Sequence, residues 1–187
     1  MGGCSCYSWK VAHATVRVMT GPVESLESGA AVDIAFMREA LAQAALAEAA
    51  GEVPIGAVVV SDGVVIGRGF NCPIGSKDPT AHAEILALRE AARVVGNYRL
   101  TGVRLYVTVE PCLMCVGAIV HARVGTLIYG VSEPKAGAVS SAIPVLNHAA
   151  LNHRVEVIQG VLADECRDVL QRFFQARRAS SPSGVRQ

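Results

Sequence analysis

Two short stretches carry the side chains best suited to chemistry, His82-Ala83-Glu84 and Pro111-Cys112-Leu113-Met114-Cys115. The two cysteines are separated by two residues, a spacing that places both sulfurs on one side of the first turn of a helix. One imidazole and two thiolates form the ligand set of a catalytic zinc, whose fourth position stays open for water. We therefore expect His82, Cys112 and Cys115 to bind one Zn²⁺, with Glu84 beside the metal as a proton-carrying base.

A Cys-x-x-Cys pair taken alone has other interpretations. In an intracellular chain it is equally typical of a redox couple or of half of a structural zinc ribbon. A structural zinc would need a fourth protein ligand, and no further Cys or His has a convincing spacing from these three. The upstream His-x-Glu pattern and the proline before the first cysteine favour the catalytic site.

Both stretches are predicted to open helices. Pro111 suits the first helical position, because proline has no amide hydrogen to lose there. Asp78-Pro79-Thr80 precedes a run of apolar residues at helical spacing, so His82 and Glu84 should fall in the first turn of a second helix. Positions i and i+2 point to nearly opposite faces of a helix, so this pair can serve one site only across the mouth of the helix.

The rest of the chain alternates β-rich runs with helical patterns. A first helix is predicted from an N-cap at Asp33 to a stop at Gly51. Strands are predicted at residues 55–60, 64–70, 103–109, 126–130 and 155–158, and a last helix at 162–178. We expect a three-layer α/β/α fold, in which a mixed sheet of five strands has helices on both faces and its ligands at the carboxyl ends of the strands.

Composition sets further bounds. With 187 residues and 51% hydrophobic content, the chain can fill the core of one domain, which we place at residues 33–178 between a flexible extension (1–32) and a flexible tail (179–187). The formal net charge of +1 provides no global field for a polyanion, so any contact with nucleic acid must come from a local patch. The six sparse cysteines predict no disulfide framework, and we expect a cytoplasmic protein without a transmembrane segment.

The pattern His-x-Glu followed by Pro-Cys-x-x-Cys is the signature of the zinc nucleobase deaminases. Further blocks occur in the order found in one family of them, and the chain resembles the bacterial tRNA-specific adenosine deaminases from about Asp33 to Arg178. The blocks are Asp78-Pro-Thr-Ala-His-Ala-Glu84, Asn97-Tyr-Arg-Leu100, Leu105-Tyr-Val-Thr-Val-Glu-Pro-Cys112, Asn152-His-Arg-Val-Glu156 and Leu162-Ala-Asp-Glu-Cys166.

This resemblance implies a cytidine deaminase-like fold and a hydrolytic activity. The substrate would be the wobble adenosine of a transfer RNA anticodon, expected to be that of tRNA-Arg, and the product inosine. Zinc-activated hydroxide would attack the ring, with Glu84 as the proton shuttle. By the same resemblance, Asn71 would hydrogen-bond the purine and the amide of Ala83 would hold the oxygen at the reacting carbon.

The resemblance also implies a homodimer whose subunits together bind the anticodon loop of the RNA. The last helix becomes basic towards its end, and Arg177 and Arg178 are candidate RNA contacts. Lys135, in the loop after the fourth predicted strand, is a weaker candidate of the same kind.

Two positions depart from the family pattern: Cys72 stands where relatives often have a basic residue, and Glu133 where an aspartate is frequent.

Two other functions share parts of this pattern. A small-molecule guanine or cytosine deaminase has the same His-x-Glu and Pro-Cys-x-x-Cys, but the basic terminal helix and the Asn152-His153-Arg154 block disfavour it. A non-catalytic zinc-binding partner subunit would keep the metal ligands, but such partners typically lose the glutamate that stands here at Glu84.

Overall fold

The computed structural model describes residues 26–180, with side chains from 29 to 179. The predicted extension and tail lie mostly outside the described residues. The elements, in chain order, are α1 (Leu26–Ala49), β1 (Gly56–Ser61), β2 (Val64–Phe70), α2 (Pro73–Ser76), α3 (Ala83–Val95), β3 (Arg104–Val109), α4 (Leu113–His121), β4 (Thr126–Val131), β5 (Glu156–Gln159) and α5 (Ala163–Ser180).

The five strands form one mixed sheet in the order β2-β1-β3-β4-β5. Strand β1 is antiparallel to both of its neighbours, whereas β3, β4 and β5 are parallel to one another. Asp62 and Gly63 join β1 to β2 with positive φ angles of 50° and 76°, which suit the tight turn of a hairpin. The predicted mixed sheet of five strands is therefore confirmed.

Helices cover both faces of the sheet and form two separate apolar clusters. Helices α3 and α4 pack on one face, where Leu88 and Ile119 lie with Leu105 of β3. Helices α1 and α5 pack on the other face, where Met37 and Cys166 lie with side chains of β1, β3 and β4. Strands β1 and β3 are buried along nearly their whole length, as expected for strands covered on both sides.

Helix α1 begins at Leu26, so the predicted N-cap at Asp33 is wrong. The Asp33 carboxylate does not cap its own helix but accepts hydrogen bonds from Arg104 Nη2 and the Tyr106 hydroxyl, both at 2.7 Å. These partners lie on β3, more than 70 positions away along the chain. The carboxylate therefore joins α1 to the sheet, and the helix extends through the alanines that precede it.

Helix α3 lies unusually close to the hairpin because β2 carries glycine where the two meet. A Cβ at Gly69 would lie 2.1 Å from the Ala83 carbonyl oxygen, and a Cβ at Gly67 would lie 2.3 Å from that of Ala87. Two glycines thus set the height of α3 above the sheet, and with it the position of the His82-Ala83-Glu84 segment.

Two further features concern the described residues as a whole. No disulfide joins the four described cysteines, Cys72, Cys112, Cys115 and Cys166. Within residues 26–180, none of the helices has the length and apolar character needed to cross a bilayer.

Candidate active site

The two predicted chemical segments meet where strands of the sheet end. His82 is the N-cap of α3, and Cys112, three residues beyond the end of β3, is the N-cap of α4. Both residues have extended backbone, and neither side chain caps its own helix, so both are available to a ligand. Pro111 precedes the cap, so its predicted place at the first helical position is wrong by two residues. Because His82 is not itself helical, the expected opposition of His82 and Glu84 does not arise.

The three predicted ligand atoms converge. His82 Nδ1 lies 3.7 Å from Cys112 Sγ and 3.6 Å from Cys115 Sγ, and the two sulfurs are 3.7 Å apart. Bonds of about 2.3 Å to sulfur and about 2.0–2.1 Å to nitrogen, held at a tetrahedral angle, place such atoms about 3.6–3.8 Å apart. The donor set and its spacing therefore fit one Zn²⁺.

The protonation of the two thiols reflects their proximity. The pKa of Cys112 falls to about 3, chiefly because the Cys115 thiol donates to its sulfur and also because His82 does. The pKa of Cys115 is raised, because its proton is shared with the Cys112 thiolate. The hydrogen bond to Cys112 likewise raises the pKa of His82. A metal that binds here must displace these protons, so its uptake depends on pH.

Glu84 is buried beside the ligands, with 4% of its surface exposed. It lies in the first turn of α3, where unpaired backbone amides favour a negative charge. Burial nevertheless raises the pKa of its carboxyl, against smaller lowering effects of its own backbone amide and of His82. A carboxyl that holds a proton this readily can accept one from water and pass it to a bound molecule.

Asn71 and Ala83 lie together and are bonded to each other. The Ala83 amide donates to Asn71 Oδ1 at 3.1 Å in a buried environment. A backbone N–H can only donate, so the facing atom of Asn71 must be its oxygen, which leaves Nδ2 free to donate elsewhere. The amide predicted to hold an oxygen of the substrate thus already has an acceptor, and it must share or exchange this bond to take that role.

Glu110 is a buried residue next to the site, and the sequence predicts no role for it. It follows β3 directly, two residues before Cys112, and is 3% exposed. Its carboxylate accepts hydrogen bonds from the loop of residues 132–141, called here the β4 loop. Burial by itself raises the pKa of this carboxyl, but hydrogen bonds from Ser140, Ser141 and Glu133 outweigh it and lower the pKa. An acidic residue at the carboxyl end of a buried strand, next to a ligand segment, was the available signal.

The predicted RNA contacts lie on two separate segments, the β4 loop and α5. Lys135 is exposed in the β4 loop, where its amide donates to Glu133 Oε1 at 2.9 Å. Arg177 lies over the ring of Phe173 and donates to the Gly51 carbonyl, just before β1. Arg178 is exposed beside it on α5.

The two departures from the family pattern have different surroundings. Cys72 is 1% exposed, so its side chain does not replace the exposed charge that a basic residue would present. Glu133 is partly buried, and its carboxylate accepts from the amide of Lys135 within the loop. The longer side chain therefore keeps a negative charge at this position.

A buried glutamate next to an imidazole and two thiolates, at the strand ends of a mixed sheet, is the arrangement with which zinc deaminases of the cytidine deaminase-like fold add water to a base. Comparison with known families agrees with this class. The family model of MafB19-like deaminases matches residues 32–178.

Comparison with individual relatives identifies the family within the class of zinc deaminases. The tRNA-specific adenosine deaminase of Haemophilus influenzae is 51% identical over 147 residues, which cover 78% of this chain and 85% of that protein. The protein of the same name from Bacillus subtilis is 43% identical over 146 residues, covering 78% and 91%. The chain belongs to the family of tRNA-specific adenosine deaminases.

Solved structures show the same relationship. A structure from work on A-to-I editing by tRNA deaminases at the wobble position of transfer RNA superposes with a TM-score of 0.71 at 44% identity, covering 73% of this chain and 99% of that one. A guanine deaminase from Nitrosomonas europaea superposes with a TM-score of 0.66 at 24% identity, covering 84% and 86%. The second match shows the shared fold alone.

Proposed function

We propose that this protein hydrolyses the wobble adenosine of a transfer RNA anticodon to inosine, releasing ammonia. The observation that carries the chemistry is the buried carboxyl of Glu84 beside three convergent ligand atoms. The relatives at 43–51% identity, named tRNA-specific adenosine deaminases, supply the substrate class.

His82, Cys112 and Cys115 would hold one Zn²⁺, since their donor atoms have the spacing that this ion requires. When bound, zinc lowers the pKa of a water molecule towards neutrality and so provides the nucleophile. Cys112 lies at the N-terminus of α4, where free amides stabilise its thiolate form.

Glu84 moves the protons of the reaction. Its carboxylate takes a proton from the attacking water and gives it to N1 of the adenine, while the oxygen bonds to C6. The ring thereby loses its aromaticity at C6. The amino group then leaves as ammonia with the second proton of the water, and the C6 oxygen becomes the carbonyl of inosine. Burial suits Glu84 to this work, because a raised carboxyl pKa lies closer to the operating pH.

Asn71 and Ala83 orient the base. With Oδ1 of Asn71 occupied by the Ala83 amide, Nδ2 is the free donor and requires an acceptor, which a purine ring nitrogen provides. The Ala83 amide shares its hydrogen with the oxygen that forms at C6. The same pair thus fixes the plane of the base and the side from which it is attacked.

The substrate must be a base outside a stack, because a stacked base cannot reach a buried carboxyl. The splayed bases of an anticodon loop meet this condition. Lys135, Arg177 and Arg178 bind the phosphates around that loop, and we propose tRNA-Arg as the substrate and the cytoplasm as the compartment.

The active form is a homodimer joined through α3 and α4. A groove of about 410 Å³ is lined by residues of these helices and of the segments next to them. A second copy presents the same face and could cover this groove by two-fold symmetry. The groove is lined by Thr80, Ile85, Leu88, Arg89, Ala92, Tyr98, Met114, Ala118, His121 and Ala122.

Sequencing of total transfer RNA after incubation with the zinc-loaded protein tests the substrate. Inosine is read as guanosine after reverse transcription, and we expect this change only at the wobble position of tRNA-Arg. Conversion in a different transfer RNA would show that tRNA-Arg is the wrong substrate. Absence of conversion in every RNA would reject the proposed function. Release of ammonia from free guanine or cytosine, with RNA unchanged, would indicate a small-molecule deaminase.

A further inference from the structure

The carboxylate of Glu110 collects donors from one loop. Glu110 Oε1 accepts from the amides of Val139, Ser140 and Ser141 at 3.1, 2.8 and 3.0 Å. Oε2 accepts from the amide of Glu133 at 3.0 Å and from the Ser141 hydroxyl. One buried side chain thus binds four amides and a hydroxyl of the β4 loop, at both of its ends.

The same loop is attached to the segment that carries a metal ligand. The Ala138 amide donates to the Pro111 carbonyl at 2.8 Å, and Gly137 forms an isolated bridge with Cys112. Gly137 is required for this approach, since a Cβ there would lie 2.5 Å from both the Glu110 carboxyl carbon and the Glu133 carbonyl oxygen. The loop is therefore bonded to the ligand segment and packs on the Glu110 carboxylate with no space for a side chain at position 137.

Between these anchors, the loop exposes Lys135 and holds Glu133 partly buried. Among the described residues, neither side chain has a partner outside the loop that would fix its position, and the Lys135 amide donates to Glu133 Oε1 within it. Their placement relative to the metal ligands depends on the hydrogen bonds to Glu110.

We propose that Glu110 is a positioning residue, which fixes the β4 loop so that Glu133 and Lys135 stand beside the metal ligands where RNA enters. The effect on RNA rests on the proposed function, whereas the effect on the loop does not. Neutralising this carboxylate should release the loop without removing any residue that touches the metal or the base.

Glu110→Gln is the direct variant, because glutamine keeps the size of the side chain but replaces one accepting oxygen with an amide NH₂ that can only donate. We expect faster hydrogen exchange of the amides of residues 139–141, with zinc still at one per chain. Affinity for an anticodon stem-loop should fall on the order of fivefold, about the contribution of one exposed charge contact. KM should rise more than kcat falls, since the chemical groups stay in place.

A double-variant cycle separates positioning from simple destabilisation. Lys135→Ala should weaken RNA binding in the parent but have little further effect in Glu110→Gln, because the lysine is no longer held at the RNA. Glu90→Gln is the matched control, since Glu90 also accepts a backbone amide, that of Arg68 at 2.6 Å, but on the exposed side of α3. It should change neither RNA affinity nor loop exchange.

If Glu110→Gln does not fold, Gly137→Ala and Ser141→Ala test the same contacts from the loop side and should give the same changes. Unchanged hydrogen exchange of the loop amides in these variants would overturn the proposal. Faster exchange without any change in RNA affinity would also overturn it, and so would the loss of zinc. A parent that binds no stem-loop would reject the proposed function instead, and the exchange experiment would still decide whether Glu110 holds the loop.

Discussion

At the scale of single residues, the proposed function assigns metal binding and proton transfer to different side chains. His82, Cys112 and Cys115 have the spacing of zinc ligands, while Glu84 lies buried next to them and is not needed for that set. Because the roles are carried by different side chains, they can be removed one at a time.

Glu84→Gln should remove the proton carrier while leaving the metal, the fold and RNA binding intact. Glutamine keeps the shape of the side chain but cannot accept a proton from water. A general acid–base residue contributes about 10²–10⁴-fold to the rate. Because one carboxylate here serves several proton transfers, the rate of single-turnover deamination should fall by an amount at the upper end of this range or beyond. Metal analysis of the same preparation should still find one zinc per chain.

Cys112→Ala provides the contrasting control, because it removes a ligand and should lose zinc. Activity of Glu84→Gln within tenfold of the parent would mean that another group acts as the base. Zinc retained in full by Cys112→Ala would show that the ligand set is assigned wrongly.

Cys166 gives the protein a specific sensitivity to alkaline pH. Burial between α5 and β4 raises the pKa of this thiol from 9.0 to about 12. Above pH 9 the thiol ionises in the unfolded chain but stays protonated in the folded one, so the free energy of unfolding falls as pH rises towards 12. The loss from this group approaches about 1.4 kcal/mol per pH unit.

Cys166→Ala should therefore show a shallower decline of stability than the parent between pH 9 and pH 11, although it is less stable at pH 7 because it leaves a small cavity. Urea unfolding across this range measures both slopes. Equal slopes of stability against pH for the two proteins would contradict the raised pKa of Cys166.

At the scale of elements, two helices place the ligands, and the sheet sets the height of each helix. Helix α3 approaches β2 closely, because the Cβ positions of Gly67 and Gly69 fall within 2.3 Å of helix backbone. Any side chain on this strand face would push α3 outwards, and His82 and Glu84 would move with it.

Gly69→Ala should therefore destabilise the fold by about 1–3 kcal/mol, the usual cost of overpacking, and weaken zinc binding as well. Gly29→Ala is the matched control, since Gly29 lies in α1 with nothing within 4 Å of its would-be Cβ. It should change stability by at most about 1 kcal/mol, in the stabilising direction. Thermal unfolding together with a zinc titration distinguishes the two, and a Gly69→Ala protein with parental zinc affinity would contradict the argument.

The sequence predicts most of these elements because their signals are local. All five strands lie within one residue of their predicted bounds, since apolar runs bounded by Gly, Pro and Asp-Gly turns mark them. The start of α1 was missed because the partners of Asp33 lie on β3, a contact between distant residues that no local pattern contains. The short helix α2 has no predicted counterpart, since four residues are too few for a periodic signal.

The site was predictable to a different degree for each kind of residue. The metal ligands and Glu84 have short, specific spacings, and the fold brings the ligands together. The hydrogen bond between Asn71 and Ala83, and the five that reach Glu110, depend on how loops from separate strands meet. Spacing along the chain carries no information about such contacts.

At the scale of the whole molecule, the proposed homodimer can be tested directly. The groove over α3 and α4 lies next to the segment that holds Cys112 and Cys115, so a partner covering it would also border the RNA entrance. Light scattering at micromolar concentration should give twice the 19.6 kDa of one chain. A fully active species of 19.6 kDa alone would rule out the dimer as the functional unit.

The central claim is that Glu84 and the metal set convert a wobble adenosine and not a free base. The most direct measurement is single-turnover deamination by the zinc-loaded protein of an anticodon stem-loop with adenosine at the wobble position, with free guanine, cytosine and adenosine in parallel reactions. We predict inosine formation in the stem-loop, none in a stem-loop with guanosine at that position, and little turnover of the free compounds. Deamination of free guanine or cytosine with the stem-loop unchanged would contradict the account.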